Sequence, residues 1–266
     1  MGTSEQICLG LNRLFPRRRL MGRESPRSYF EADIGEAEEI LSSYGPHLRL
    51  AGQNILDGGC GLGGKTLYCA QHGARYVVGL DNDLHHVRYA AKFTKARKAH
   101  NLRFMVGSLR FLPFPSDSFN VVLLNGVVEH IRRPDLQPAL VECRRVLKPG
   151  GLLCALFPPW TSPSAGHVYD YIHIPWCQLL FSRATIVAAL EKLNPAPRFG
   201  RLSYVEHFLE LNGITIGEFK RLVEETGYEM LAFRLKMVKG LNFLSRVPVV
   251  NKYLTSHVVA VLRKRT

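Results

Sequence analysis

The chain has little of several things, and each shortage removes a class of protein. No run comes near the eighteen or more uninterrupted apolar residues that a membrane span needs, and no apolar block of the signal-peptide kind follows the arginines near the start. The chain is therefore expected to be cytoplasmic. Met1-Gly2 resembles the opening of a myristoylation signal, but Gln6 stands where Ser or Thr is required. The six cysteines, Cys8, Cys60, Cys69, Cys143, Cys154 and Cys177, include no C-x-x-C pair and no Cys/His grouping at metal-ligand spacing. Free thiols and no metal site are the expectation.

Acid is scarce at both ends. Residues 12–28 carry Arg13, Arg17, Arg18, Arg19, Arg23 and Arg27 against Glu24, and residues 231–266 carry eight Lys and Arg with no acid. These ends hold much of the +13 net charge. Basic ends suit nucleic acid, an acidic partner or a peripheral contact with anionic membrane, while an ordinary solvated surface explains them as well.

What is present is an alternation. Asn54–Asp57, Tyr76–Asp81, Leu102–Gly107, Phe119–Gly126 and Gly151–Phe157 are short strand-like runs, most of them rich in Val, Leu and Ile. Helical patterns stand at 33–44, 65–73, 84–100 and 136–147. This order predicts an α/β fold with a mostly parallel sheet, helices on both faces, and ligands at the carboxyl ends of the strands. Further helices are read at 183–193 and 215–227 and strands at 228–238 and 257–263. Residues 1–30 form a basic extension and 31–266 the domain. Residues 158–182, rich in Pro, aromatics and His, read as a lid. Phe157, Trp160, Tyr169, Tyr171, Trp176, Leu179, Leu180 and Phe181 predict an aromatic wall for an apolar or aromatic acceptor.

The stretch "ILDGGCGLGGKT" (55–66) contains G-x-G-x-x-G at Gly59, Gly61 and Gly64. A glycine turn opening a helix suits phosphate, but Asp57 stands two residues before it. Two anions about 4 Å apart at an effective dielectric near 20 repel by roughly 4 kcal/mol, so Asp57 favours a ligand with a cationic end. S-adenosylmethionine, with an ammonium and a sulfonium, is such a ligand. Asp81, at the end of the second strand, can accept both ribose hydroxyls, in this nucleoside or in NAD.

"ILDGGCGLGGKT", "VVGLDND", "VGSLRFLPFPSDSFNVVLLNGVVEHIRRP" and "ECRRVLKPGGLL" together resemble the successive motifs of class I S-adenosylmethionine-dependent methyltransferases, over about residues 50–157. The resemblance implies a Rossmann-like seven-stranded sheet with an antiparallel last strand. It also implies that Asp57, Gly59, Cys60, Gly61 and Gly63 line the methionine part of the cofactor, with Asp81 on the ribose and Asn82 beside the adenine. Ser108 and Leu109 stand where the family has an acid and a small or apolar residue at the adenine. Asn125, Gly126 and Val127 meet the methionyl group. Family analogy places the lid over the methyl group, where His167, read with Asp170 as partner, or His173 supplies a base. The activity expected is methyl transfer to O or N of a hydrophobic or aromatic small molecule, such as a lipid or secondary metabolite. RNA or protein methylation, a non-catalytic cofactor-binding subunit and a nicotinamide dehydrogenase are the alternatives, the last opposed by Asp57.

Overall fold

The computed structural model describes residues 3–16, 25–95, 97, 99–193, 203–238 and 247–265. Arg17, Arg18, Arg19, Arg23, Lys239 and Arg246, six of the fourteen basic-end residues, lie outside them. Seven strands form one sheet in the order β3-β2-β1-β4-β5-β7-β6. They are β1 Asn54–Gly58, β2 Tyr76–Asp81, β3 Leu102–Val106, β4 Phe119–Asn125, β5 Leu147–Phe157, β6 Tyr228–Met237 and β7 Thr255–Lys264. β1 to β5 pair in parallel, and β7 runs antiparallel between β5 and β6. This is the Rossmann-like sheet with an antiparallel last strand.

Because side chains alternate across a strand, each strand feeds two cores. Leu56, Val78, Val122 and Leu124 point to one face, under Leu140, Phe219 and Val223 of helices α5 (Leu136–Val146) and α9 (Ile216–Glu225). Ile55, Val77, Val121 and Leu123 point to the other, with Leu41 and Tyr44 at the end of α2 (Pro26–Ser42) and Cys69 and Ala70 of α3 (Gly64–Gln71). Leu56, Leu123 and Leu124 are fully buried, each worth about 2 kcal/mol in area removed from water. The strands read as continuous apolar runs because both faces are covered.

A third cluster builds a cap. α1 (Thr3–Asn12), the 168–177 segment, α6 (Cys177–Leu180), α7 (Arg183–Leu193) and α8 (Tyr204–Glu210) pack together around Cys8, Ile172, Ile186, Leu190 and Phe208. Asn12 ties the N-terminal helix to this cap: its Nδ2 donates to the Tyr171 carbonyl at 2.7 Å and its Oδ1 accepts from the His173 amide at 2.6 Å. Among the described residues no helix is long and apolar enough to cross a membrane.

Several element ends differ from expectation. α2 starts at Pro26 rather than Asp33, because Ser25 and Ser28 close a reciprocal cap in front of it. α4 (Leu84–Lys95) stops short of His100. "KPGG" belongs to β5, whose pairing with β4 shifts register between Phe119↔Leu147 and Val121↔Leu152. Helix α8 lies where the sequence pattern reads as loop, and α10 (Pro248–Leu254) has no counterpart in the sequence reading. For α8 the Ser203-x-x-Glu206 capping box was the available signal.

Candidate active site

The cleft lies at the carboxyl ends of β1, β2, β4 and β5 and has a volume of about 1560 Å³. Its floor is the glycine turn. Gly59 (φ 73°) and Gly63 (φ 84°) occupy the left-handed region and have no room for a side chain: a Cβ at 59 would lie 2.5 Å from Val127 Cγ2, and one at 63 would lie 2.7 Å from the Phe104 ring. Gly61 (φ 53°) has nothing within 4 Å of such a Cβ, so the turn is open there. The Gly59 and Cys60 amides donate to the Leu80 carbonyl, which fastens the turn to β2. Cys60 lines the cleft, although it is almost fully buried and burial pushes its thiol pKa up.

Asp57 sits behind this turn rather than among the cleft-lining residues. It is 1 % exposed, and its Oδ2 accepts from Thr66 Oγ1 at 2.6 Å. Burial raises its pKa to about 6, against the lowering effects of the Thr66 bond and of Lys65. Asp81 reaches the cleft: Oδ2 accepts from the Gly61 amide at 2.8 Å, and Oδ1 from Asp83 N at 2.9 Å with His86 Nδ1 3.3 Å away. Burial pushes its pKa up, but His86 and the two amides outweigh burial and hold it below the usual range. Asn82, Ser108 and Leu109 line the adjoining wall.

Asn125 and Gly126 line the opposite wall with Val127. The Asn125 Oδ1 accepts from the hydroxyl of fully buried Tyr44, whereas its buried Nδ2 has no hydrogen-bond partner among the described residues. That amide is a donor in need of an acceptor. Among the lining residues that escaped the sequence reading are Tyr29, Asp33 and Glu36 on α2, and Lys65 at the start of α3. Lys65 pairs with Asp33; burial alone lowers a lysine's pKa, but that carboxylate outweighs it and holds the ammonium charged.

Beyond the 125–127 wall lies a polar corner. Glu129, 4 % exposed, has no hydrogen bond to either carboxylate oxygen among the described residues, and burial pushes its pKa up to about 8. Its Oε1 lies 3.9 Å from His167 Nε2. The imidazoles of His130, His167 and His207 gather there, with ring centroids 4.8–5.7 Å apart. Asn212 holds the turn in place: its Nδ2 donates to the carbonyls of Val128 (2.7 Å) and Ile131 (2.8 Å), and its amide donates to that of Glu129 (2.9 Å). His167 adopts φ 51°, a left-handed conformation uncommon outside glycine.

The structure thus draws His167 into the cleft and points to Glu129 as its carboxylate neighbour. Asp170 accepts from the Tyr204 hydroxyl at 2.9 Å. His173 is not among the cleft-lining residues, and its Nδ1 lies 2.7 Å from the Tyr169 carbonyl. The aromatic wall is corrected, because of the eight residues named for it only Tyr169 lines the cleft. Phe157 packs on Phe219 in the main core, and Tyr171 stands edge-on to Tyr204 in the cap. Trp176 Nε1 donates to the Tyr253 carbonyl, while Leu179 and Leu180 are exposed. Glu129 and His207 went unnoticed, because "NGVVEH" reads as a helix start and His207 lies 77 residues from His130 in sequence.

These residues fit S-adenosylmethionine. The open glycine turn, a charged acceptor at Asp81 and an unpartnered donor at Asn125 match its polar groups, and the volume exceeds the roughly 300–1,000 Å³ of a single-ligand pocket, leaving space for a second molecule. Residues 55–151 match the family model described as methyltransferase domain. An uncharacterized methyltransferase of Mycobacterium avium is 29 % identical over 91 % of this chain and 90 % of its own. The sterol 24-C-methyltransferase of Aspergillus fumigatus is 33 % identical over 102 residues, 38 % of this chain and 26 % of that enzyme. In fold, the PH0226 protein of Pyrococcus horikoshii superposes with a TM-score of 0.57 at 20 % identity, covering 96 % of this chain and 98 % of that one. Sheet order, cleft and matched motifs define a class I S-adenosylmethionine-dependent methyltransferase. Residues 55–151 are a methyltransferase domain, and S-adenosylmethionine is the cofactor these findings support.

Proposed function

We propose that the enzyme methylates an oxygen or nitrogen of a small molecule whose polar end seats against Glu129 and the three histidines. The supporting observation is the Glu129 carboxylate: buried in the cleft wall, with no hydrogen bond to either oxygen among the described residues. A buried carboxylate in that state costs stability, and an O–H or N–H from an acceptor satisfies it. The bound cofactor supplies a methyl carbon already activated by its sulfonium. The protein's part is to align the acceptor in line with that carbon and to exclude water. In its ionised form Glu129 would take the acceptor's proton.

His167 orients Glu129 rather than serving as the first base. Ile131, Leu209, Leu211 and Pro158 line the same end of the cleft and offer an apolar surface for the rest of the acceptor. A hydrophobic, lipid-like acceptor with one polar group fits that lining. The similarity to a sterol 24-C-methyltransferase agrees with this but covers only 38 % of this chain.

The test uses cofactor labelled in its methyl group, a cell extract, and fractionation into small molecules, RNA and protein. Label is expected in the small-molecule fraction, on O or N by mass spectrometry. Glu129→Gln is expected to cut turnover about 10²–10⁴-fold with cofactor affinity unchanged. Label in RNA or protein, or undiminished turnover of the variant, refutes the proposal.

A further inference from the structure

The three histidines come from three separate elements. His130 lies in the turn after β4, His167 in the lid and His207 on α8. Each offers a ring nitrogen, and these nitrogens all lie within 4.8 Å of one another. We infer that His130, His167 and His207 form a binding site for one first-row divalent transition-metal ion of the zinc type, open on the cleft side.

Three neutral imidazoles with an open fourth position are a donor set for zinc and its neighbours, not for magnesium or calcium, which take oxygen ligands. Tetrahedral bonds of 2.0–2.1 Å place ligand nitrogens about 3.3 Å apart, so the rings have to close by about 1.5 Å. Small side-chain rotations accomplish that, since all three rings are only half-buried. The backbone is held ready: Asn212, just past α8, bonds the carbonyls of Val128, Glu129 and Ile131 and so fixes the His130 turn relative to the α8 end.

A second observation points the same way. The carboxylate of Glu129 lies 3.9 Å from the His167 nitrogen, almost wholly buried and without a hydrogen bond among the described residues. A dication among the imidazoles would give that buried, unbonded carboxyl group a positively charged neighbour. Three histidines serving only to grip an acceptor leave the carboxylate uncompensated until substrate arrives. The binding of the ion stands independently of methyl transfer. Its role rests on the acceptor reading above: the ion takes the acceptor's oxygen or nitrogen at the open position and makes its proton easier to release.

The experiment is a calorimetric titration of the chelator-treated full chain with zinc chloride, without cofactor, paired with thermal melts and the visible absorption of a cobalt(II) form. One zinc per chain is expected, with a rise in melting temperature. His207→Ala and His130→Ala are expected to bind at least about 100-fold more weakly and to lose the thermal shift, whereas His72→Ala, on the exposed end of α3, keeps both. Should His130→Ala fail to fold, His207→Asn on the half-exposed face of α8 carries the same comparison. No zinc-induced shift in the wild type, or wild-type affinity in His207→Ala, overturns the site. Full methyl transfer by zinc-free protein also sinks the ion's role while sparing the acceptor reading. Tight zinc binding that depends on His207, with label recovered only in RNA or protein, supports the site and refutes that reading.

Discussion

Asp57→Asn separates what the protein needs for folding from what it needs for its ligand. The carboxylate is 1 % exposed and has Thr66 as its hydrogen-bond donor, a bond that an amide oxygen can also accept. Its folded pKa is about 6 against an ordinary 3.8. The folded state therefore holds the proton more tightly than the unfolded one, and the ionised carboxylate opposes folding. The sign of the pH dependence follows: no penalty below about pH 4, a growing one as pH rises through 4 to 6, and a constant one above. A shift of about 2 pH units corresponds to about 3 kcal/mol above pH 7. In a chain of this size that is about 6–12 °C in melting temperature. Urea unfolding of both proteins from pH 4 to pH 8 is the assay, with cofactor affinity measured by calorimetry on the same samples. Asp57→Asn is expected to match the wild type near pH 4, to be more stable by up to about 3 kcal/mol at pH 8, and to bind S-adenosylmethionine at least tenfold more weakly. Equal stability at pH 8, or greater affinity in the variant, refutes the view that a costly buried charge is kept for a cationic ligand.

Other perturbations probe the walls. Gly59→Ala drives a Cβ to 2.5 Å from Val127 in a left-handed residue, so a loss of about 1–3 kcal/mol and weakened cofactor binding are expected from melts and calorimetry. Tyr44→Phe strands the Asn125 carbonyl oxygen and should cost about 1–3 kcal/mol by urea unfolding. Asn212→Ala removes the bonds to Val128 and Ile131; a cost of about 2 kcal/mol and reduced turnover with near-normal cofactor affinity are expected.

The cofactor half was legible because its signals are local. Strand periodicity, glycine turns and a carboxylate at a strand end each act within a few residues of chain, and Asp81, Ser108 and Asn125 all line the cleft. Asp57 was legible as a charge but not as a buried one, since nothing in "ILDGG" shows that Thr66 folds back onto it. The acceptor half depends on contacts at long range. Glu129 is conspicuous only once Asn212 and the cap close over it, and the lid aromatics look like a pocket wall until α1, α7 and α8 are seen packing against them. Sequence density reported that the segment is buried; it could not report against what.

Calorimetry of the full chain with S-adenosylmethionine and with NAD, repeated for Asp81→Ala, tests the central claim that this cleft is built for a positively charged nucleoside. The account predicts micromolar binding of S-adenosylmethionine, no measurable binding of NAD, and loss of at least about 100-fold in affinity for Asp81→Ala, the scale of losing a charged hydrogen-bond acceptor to the ribose. Binding of NAD in preference to S-adenosylmethionine, or an unchanged affinity in Asp81→Ala, contradicts it.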